Sequence, residues 1–144
     1  MGDPLAYPPL HSAEHLLTSL LEERLPDLRG YQARLKSRKC VMEFDYPTPL
    51  AFADVQPAVD AMRTAIAADW PVVIREVPRA EAGRLPNLNE IPADLPTVRI
   101  VAIGPYPRAC RGRHVTRTGE IAGFRVTTFQ AVGDGRYRLN FSVD

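Results

Sequence analysis

The nine residues LHSAEHLLT, Leu10 to Thr18, form the stretch around which the rest of the chain is organised. Its two histidines, His11 and His15, are four residues apart, so an α-helix places both side chains on one face, one turn apart. Two imidazoles in that arrangement can bind one metal ion. The helix also has an apolar stripe that would anchor it on a core, made of Leu16, Leu17 and Leu20. Because such a histidine pair also arises by chance, a metal site needs further ligands elsewhere in the chain.

The remaining histidine lies next to a cysteine far along the chain. There are three histidines and two cysteines in all, and His114 follows Cys110 by four residues. Every histidine therefore belongs to one of two compact pairs, H-x3-H or C-x3-H. Imidazole nitrogen and cysteine thiolate are preferred ligands of zinc. If the fold brings the two pairs together, they make a metal site with three nitrogen donors and one sulfur donor.

Composition sets the class of protein. A length of 144 residues fits one domain with a sizeable core, and a net charge of +1 excludes a strongly electrostatic nucleic-acid binder, although a local patch can still bind RNA. No stretch has the pattern of a signal peptide or of a membrane span, so we expect a cytoplasmic protein with no membrane partner. Reduced thiols are the rule in the cytosol, which predicts that Cys40 is a core residue and that Cys110 is a metal ligand or a reactive cysteine.

The hydrophobic pattern predicts short, mixed elements. Residues 1–9 contain three prolines and are expected to form an extended lead-in. Helices are predicted at residues 11–24 and 54–69, the second capped by Asp54 and with Pro57 in its first turn. Strands are predicted at residues 31–36, 39–46, 71–77, 98–103, 121–132 and 136–143. Residues 79–84 are expected to form a helical turn and residues 85–96 a loop. This order of helices and hairpins predicts a single α+β domain, with a few helices around an antiparallel sheet.

The first predicted hairpin has a basic tip, with Arg34, Lys36, Arg38 and Lys39 around the turn at Ser37-Arg38. Such a tip is either a solvated turn or a contact for phosphate groups.

The two histidine-containing segments resemble the motifs of a known family. Residues 11–17, HSAEHLL, resemble the H-[ST]-x-x-H-L-L motif of the editing domain of alanyl- and threonyl-tRNA synthetases and of the free-standing AlaX-type trans-editing proteins. Residues 110–115, CRGRHV, followed by TGEI at residues 118–121, resemble the family's second motif, C-x-G-x-H-V…T-G-x-I. The resemblance extends from about residue 8 to the end of the chain.

The resemblance implies a function for the whole chain. It implies that residues 1–144 form one aminoacyl-tRNA editing domain that binds Zn²⁺ through four ligands, His11, His15, Cys110 and His114. The implied activity is hydrolysis of the ester between a wrong amino acid and the 3′ adenosine of tRNA, with Ser- or Gly-tRNA(Ala) as the expected substrates. The implied partner is the acceptor end of a mischarged tRNA. Neither the cognate tRNA nor the oligomeric state follows from the sequence.

Four residues beside the implied ligands are candidates for further roles. Ser12 either places a hydroxyl near the metal to recognise the amino-acid side chain or satisfies a backbone N–H at the helix start. Glu14 is either a general base or a solvent-facing helix residue. Arg111 and Arg113 either bind the terminal phosphate of tRNA or lie in a solvated loop.

Two departures from the family pattern leave other interpretations open. Arg113 stands where relatives of the alanine type usually have threonine and those of the threonine type proline, and residues 106–109 contain no acidic side chain. An alternative is therefore a catalytically inactive zinc-binding module that binds tRNA or a protein partner. Residues 11–15 also fit H-x-x-E-H, the inverted zinc-protease pattern with Glu14 as base, although that pattern leaves Cys110 and His114 unexplained. A Cys–His acyl-enzyme route is disfavoured, because a metal-bound thiolate is a poor free nucleophile.

Overall fold

The computed structural model describes residues 6–144, which form two long helices and two antiparallel sheets. The helices are α1 (Pro8–Arg24) and α2 (Phe52–Ala68). The strands are β1 (Arg29–Lys36), β2 (Lys39–Asp45), β3 (Val72–Pro78), β4 (Thr97–Ile103), β5 (Tyr106–Ala109), β6 (Arg125–Gly133) and β7 (Arg136–Ser142). The four-stranded sheet has the order β1-β2-β7-β6 and the three-stranded sheet the order β3-β4-β5. The predicted α+β class is confirmed.

Helix α1 lies inside the molecule rather than on its surface. Every residue from Leu10 to Leu21 is buried, so the helix has no solvent face over three turns. It begins at Pro8, earlier than predicted. Proline is tolerated there because the backbone N–H groups of a first helical turn have no intrahelical acceptor, so the missing N–H costs no hydrogen bond. The predicted extended lead-in is therefore wrong for residues 8 and 9, and its residues 1–5 lie outside the described part of the chain.

Helix α2 differs from the prediction at its start. Its N-cap is Ala51, and Asp54 acts from inside the first turn, where its Oδ2 accepts a hydrogen bond from the Ala51 N–H at 2.8 Å. Pro57 lies in the second turn rather than the first, so the Ala53 carbonyl lacks its usual intrahelical donor. The buried side chains of α2 include Val55, Val59 and Met62, which recur at helical spacing.

The hairpins follow the predicted pattern with shifted ends. β1 and β2 pair antiparallel around the predicted turn at Ser37-Arg38, and Cys40 lies in the core. The last hairpin begins at Arg125 rather than at residue 121, since residues 118–120 form a 3₁₀ turn and the chain then bends. β5 was not predicted, because its four residues are too few to show a period-two pattern. Residues 79–81 and 88–90 form 3₁₀ turns.

The fold places the segment after β5 over the N-terminal half of α1. β4 is the central strand of its sheet, and its pairing with β5 ends at Ile100↔Ala109. The Cys110 N–H extends this contact by donating to the Arg99 carbonyl at 3.1 Å. Residues 110–115 therefore leave the sheet as a loop that passes over the first turns of α1. Within residues 6–144, neither helix has the length and apolar character needed to cross a lipid bilayer.

Candidate metal centre

The fold brings the two predicted ligand pairs together. One ligand atom from each of four residues lies within 4.8 Å of the others, in a cluster of His11, His15, Cys110 and His114. His11 and His15 come from α1, and the other two residues come from the loop after β5. The first three are buried, and His114 is partly exposed. The cluster can hold one metal ion.

The distances within the cluster fit a tetrahedral zinc site. With bonds of about 2.0 Å to nitrogen and about 2.3 Å to sulfur, a tetrahedral zinc holds nitrogen and sulfur ligands about 3.5 Å apart. The Sγ atom of Cys110 lies 3.6 Å from Nε2 of His11 and 3.5 Å from Nε2 of His114. The donor set of three imidazoles and one thiol is also the type that zinc prefers.

Two of the imidazoles are oriented by hydrogen bonds through their second nitrogen. Nδ1 of His11 lies 3.2 Å from the Arg113 carbonyl oxygen, and Nδ1 of His114 lies 3.0 Å from the Ser12 hydroxyl oxygen. When Nδ1 donates to such an acceptor, the lone pair lies on Nε2, which is the nitrogen nearest to Cys110 in both rings. The tautomers favoured by these contacts are therefore those that a metal ion needs.

His15 is the residue of the cluster whose nitrogens fit a metal ion most directly. Both of its ring nitrogens are buried and have no hydrogen-bond partner among the described residues. Burial, followed by the nearby His114 and His11, holds the pKa of His15 well below its usual value. Burial also lowers the pKa of His114 to about 3. Both imidazoles are therefore neutral at pH 7, which is the form that coordinates metal.

The glycine in the second motif allows the loop to approach α1. A Cβ atom added to Gly112 would lie 2.3 Å from Cε1 of His11, so any larger residue would push the ring or the loop away. The Gly112 N–H also donates to Sγ of Cys110 at 3.3 Å. Without a cation, burial raises the pKa of the Cys110 thiol, so a bound metal ion is what would favour the thiolate.

Arg99 holds the same loop and was missed in the sequence analysis. Its Nη1 donates to the carbonyl oxygens of Cys110, at 2.9 Å, and of Gly112, at 2.7 Å. The signal in the sequence is a single charged residue in the otherwise apolar β4, but nothing in that pattern indicates its partners.

Ser12 lies behind the cluster and is fully buried. Its hydroxyl oxygen accepts a hydrogen bond from the Val115 N–H at 3.0 Å in addition to its contact with His114. The predicted alternative, a bond to a backbone N–H at the start of its own helix, is wrong because the N–H group belongs to the second motif. The contacts of Ser12 are those of a residue that positions a ligand.

Glu14 is also buried, so the prediction of a solvent-facing residue is wrong. Its Oε2 accepts hydrogen bonds from the hydroxyl groups of Tyr31 and Thr18, while Oε1 is buried without a partner among the described residues. Burial raises the pKa of Glu14 above its usual value. Its partners lie on α1 and β1, and the ligand group contains Cys110 and His114 instead of a glutamate, so the inverted-protease interpretation has no support.

Three arginines lie in or next to the segment that carries Cys110. Arg111 and Arg113 are exposed on the loop, on either side of the buried Gly112. Arg108 lies in residues 106–109, which contain no acidic side chain, and its buried guanidinium donates to Glu22 at 2.7 Å and to Asn87 at 3.2 Å.

A cleft opens beside Arg108, along the side of α1. It encloses about 500 Å³ and is lined by residues that include Glu22, Tyr31, Asn87, Glu90 and Arg108. Its lining is polar and contains side chains of both positive and negative charge, which suits a ligand that also carries polar and charged groups.

Comparison with known proteins agrees with the motifs. Residues 98–140 match the sequence profile of the threonyl and alanyl tRNA synthetase second additional domain. The chain is 30% identical over 140 residues to an alanine–tRNA ligase of Thermus thermophilus, a match that covers 90% of this chain and 16% of the relative. It is 28% identical over 134 residues to the alanine–tRNA ligase of Mycoplasmoides gallisepticum, covering 90% of this chain and 15% of the relative. It is 31% identical over 125 residues to a threonine–tRNA ligase of Acidovorax sp., covering 81% of this chain and 20% of the relative.

The chain thus spans between 15% and 22% of the length of such relatives. The resemblance inferred from the motifs is confirmed: the chain is similar to the editing domain, or second additional domain, of the alanyl- and threonyl-tRNA synthetases.

Proposed function

We propose that the protein is a zinc-dependent hydrolase that removes the amino acid from mischarged tRNA in trans, with Ser- and Gly-tRNA(Ala) as its first candidate substrates. The observation that carries this proposal is the convergence of four metal-ligand atoms within 4.8 Å, in a chain similar to the editing domain of two tRNA synthetases. We further propose that residues 1–144 form one such domain and that it acts in the cytoplasm.

The proposed ligands are Nε2 of His11 and His114, one ring nitrogen of His15, and the thiolate of Cys110. Bound zinc supplies Lewis acidity and lowers the pKa of a water molecule that it binds. Hydrolysis of the substrate breaks one ester bond: the elements of water add across it, the amino acid leaves as a carboxylic acid, and tRNA regains its free 3′ hydroxyl. An aminoacyl ester is already a reactive acyl group, so modest activation suffices.

Access to the metal centre is proposed from the side of His114. His114 is the one ligand of the cluster that is partly exposed, whereas the other three are buried. Four protein ligands fill a tetrahedral site, and catalysis at zinc usually needs an open position. We therefore propose that His114, whose Nδ1 contacts the Ser12 hydroxyl, would hold a metal ion less tightly than the three buried residues and would leave room for substrate on its side.

The cleft beside Arg108 is proposed to hold a part of the substrate other than the reacting ester, because none of the four cluster residues lines it. It lies along the side of α1 that continues from the metal ligands, because Ser19 and Glu22 follow His15 by one and two helical turns. Ser19 and Glu22 are both partners of Arg108, which lines the cleft.

Arg111 and Arg113 are proposed to bind the terminal phosphates of the tRNA acceptor end. Both are exposed and flank Gly112 beside the cluster. Glu14, in contrast, is bonded to Tyr31 and Thr18, which favours a structural role over the predicted role of general base.

A catalytically inactive zinc-binding module of the same fold is the second candidate. The burial of three ligands and the lack of an acidic side chain in residues 106–109 favour it. In that case the centre would stabilise the fold, and the protein would bind tRNA or a protein partner without hydrolysing the ester.

A deacylation panel separates the two candidates. Zinc-loaded protein would be incubated with Ser-tRNA(Ala), Gly-tRNA(Ala), Ala-tRNA(Ala) and Ser-tRNA(Thr), beside the Cys110→Ala variant. The proposal predicts that the protein hydrolyses at least one mischarged species and leaves Ala-tRNA(Ala) intact. It also predicts that the variant loses this turnover. A folded, zinc-loaded protein that hydrolyses none of the four would favour the inactive module.

A further inference from the structure

A basic surface lies at the tip of the first hairpin, and its Arg34 also lines the cleft beside Arg108. Arg34, Lys36 and Lys39 share the outer face of the four-stranded sheet, since their neighbours at alternate positions face the core. Lys36 and Lys39 stand directly opposite each other across the β1–β2 pair. Like charges in such a pair destabilise a sheet, so their presence there has a local cost in stability.

These cations are not neutralised within the described part of the chain. No carboxylate among residues 6–144 forms an ion pair with Arg34, Lys36 or Lys39. Elsewhere on the same sheet the arrangement is different, because Arg136 and Arg138 both pair with Glu43. The positive charge is thus concentrated at one end of the sheet.

The basic tip lies beside the end of α1 that carries the metal cluster. The Arg38 guanidinium sits 4.7 Å from the ring centroid of Tyr7, which is the N-cap of α1. The carbonyl of Tyr7 accepts the N–H of His11 at 2.9 Å, so one helical turn separates this contact from the first metal ligand.

The exposed arginines of the second motif lie at the same end of α1. The carbonyl of Arg113 is 3.2 Å from Nδ1 of His11, which fixes its loop beside the first turns of the helix. Residues 34–39 and residues 111–113 therefore both contact the N-terminal part of α1, through Arg38 and through the Arg113 carbonyl, although about 70 residues separate them in sequence.

We infer that Arg34, Lys36 and Lys39 form a binding surface for the phosphate backbone of the tRNA acceptor stem. The inference rests on the proposed function for the identity of the RNA, because the cations border the site where the 3′ end would be held. Arg111 and Arg113 would bind the single-stranded end, and the hairpin tip would bind phosphates farther along the stem. Contacts of this type are independent of base sequence and weaken with salt.

The test compares Lys36→Ala/Lys39→Ala with the control Arg75→Ala/Arg84→Ala, which removes the same charge from exposed positions elsewhere. Binding of uncharged tRNA would be measured by fluorescence anisotropy between 50 and 200 mM salt. Loss of two phosphate contacts makes affinity less salt-dependent, so across that range the wild-type affinity should fall about tenfold more than that of the lysine variant. The control should behave as wild type. Equal effects of the two double variants, or an unchanged salt dependence in the lysine variant, would overturn the inference.

A kinetic comparison keeps this inference separate from the proposed function. On aminoacyl-tRNA the lysine variant should have a higher KM and an unchanged kcat, and on an aminoacyl ester of adenosine, which has no stem, it should match wild type. Equal losses on both substrates would contradict a role in binding the stem. If the protein deacylates nothing, the proposed function fails, while the anisotropy experiment still decides whether this surface binds tRNA.

Discussion

The hydroxyl oxygen of Ser12 lies 3.0 Å from Nδ1 of His114, which joins the first sequence motif to the second. The same oxygen accepts the Val115 N–H at 3.0 Å. Ser12 therefore holds both the ring of a proposed ligand and the backbone beside it. Nothing in the spacing within either motif indicates this contact, since it depends on how the loop packs on α1.

Ser12→Ala is expected to weaken zinc binding by about 10–100-fold, because the His114 ring loses its oriented hydrogen bond. Competition with a chelating dye would measure the affinity. Ser12→Thr keeps the hydroxyl group and should retain most of it. An alanine variant with wild-type zinc affinity would show that Ser12 does not position His114.

Gly112→Ala should lose zinc and destabilise the fold, because the added Cβ would lie 2.3 Å from the His11 ring. The free energy of unfolding should fall by about 1–3 kcal/mol, as for other overpacked sites. Gly133→Ala is a matched control, since its Cβ would meet only Cβ of Arg136 at 3.8 Å. Zinc content and urea denaturation would report both effects. Equal behaviour of the two variants would contradict the close approach of loop and helix.

Glu14→Gln is expected to change the deacylation rate by less than about threefold, because the carboxyl group of Glu14 is bonded to Tyr31 and Thr18. Loss of a general base would instead reduce the rate by about 10²–10⁴-fold. Glu14→Ala should destabilise the fold by roughly 2 kcal/mol, since the Tyr31 hydroxyl loses its acceptor, whereas Thr18 keeps the carbonyl oxygen of residue 14. A rate loss above a hundredfold in the glutamine variant, with normal zinc content, would restore the role of base.

Asp69 gives the fold a testable dependence on pH. Hydrogen bonds from Arg117 and from the Gly119 N–H hold the pKa of Asp69 below its usual value. The folded chain thus favours the ionised carboxylate, so its stabilisation is present above the pKa of the unfolded chain and is lost as pH falls through the lower folded value. Asp69→Asn suits the positive φ of 54° at this position.

Urea midpoints of wild type and Asp69→Asn would be compared at pH 7 and pH 3. The difference between the two proteins should be larger at pH 7 and should shrink at pH 3. A difference that is the same at both pH values would mean that the ion pair with Arg117 does not contribute to the stability of the fold.

The metal-ligand cluster was predictable because each half of it is local. The spacing of His11 and His15 within one helix, and of Cys110 and His114 within one loop, is written in the sequence, and the motifs resemble a known family. The α+β class followed from the period of the apolar residues. The supporting contacts were not predictable. Arg99 reaches two carbonyl groups of the loop because β5 ends opposite Ile100, the neighbour of Arg99 in β4.

The burial of α1 also exceeded what its pattern indicates. Glu14 was expected to face solvent or to act as a base, because a charged residue in a helix is usually exposed. It is buried because the helix is enclosed on all sides, and Tyr31 supplies a partner from a strand that no local pattern links to it. Which side chains meet across elements is a property of the tertiary structure.

The central claim is that deacylation depends on one metal ion in the four-residue cluster. The most direct test strips the protein of metal, restores zinc in steps, and measures bound zinc and the rate of Ser-tRNA(Ala) deacylation on the same samples. The account predicts a rate that rises in proportion to occupancy and levels off at one zinc per chain, with neither binding nor rate restored in His15→Ala. A full rate in the metal-free protein, or a rate that does not change as the site fills, would contradict it.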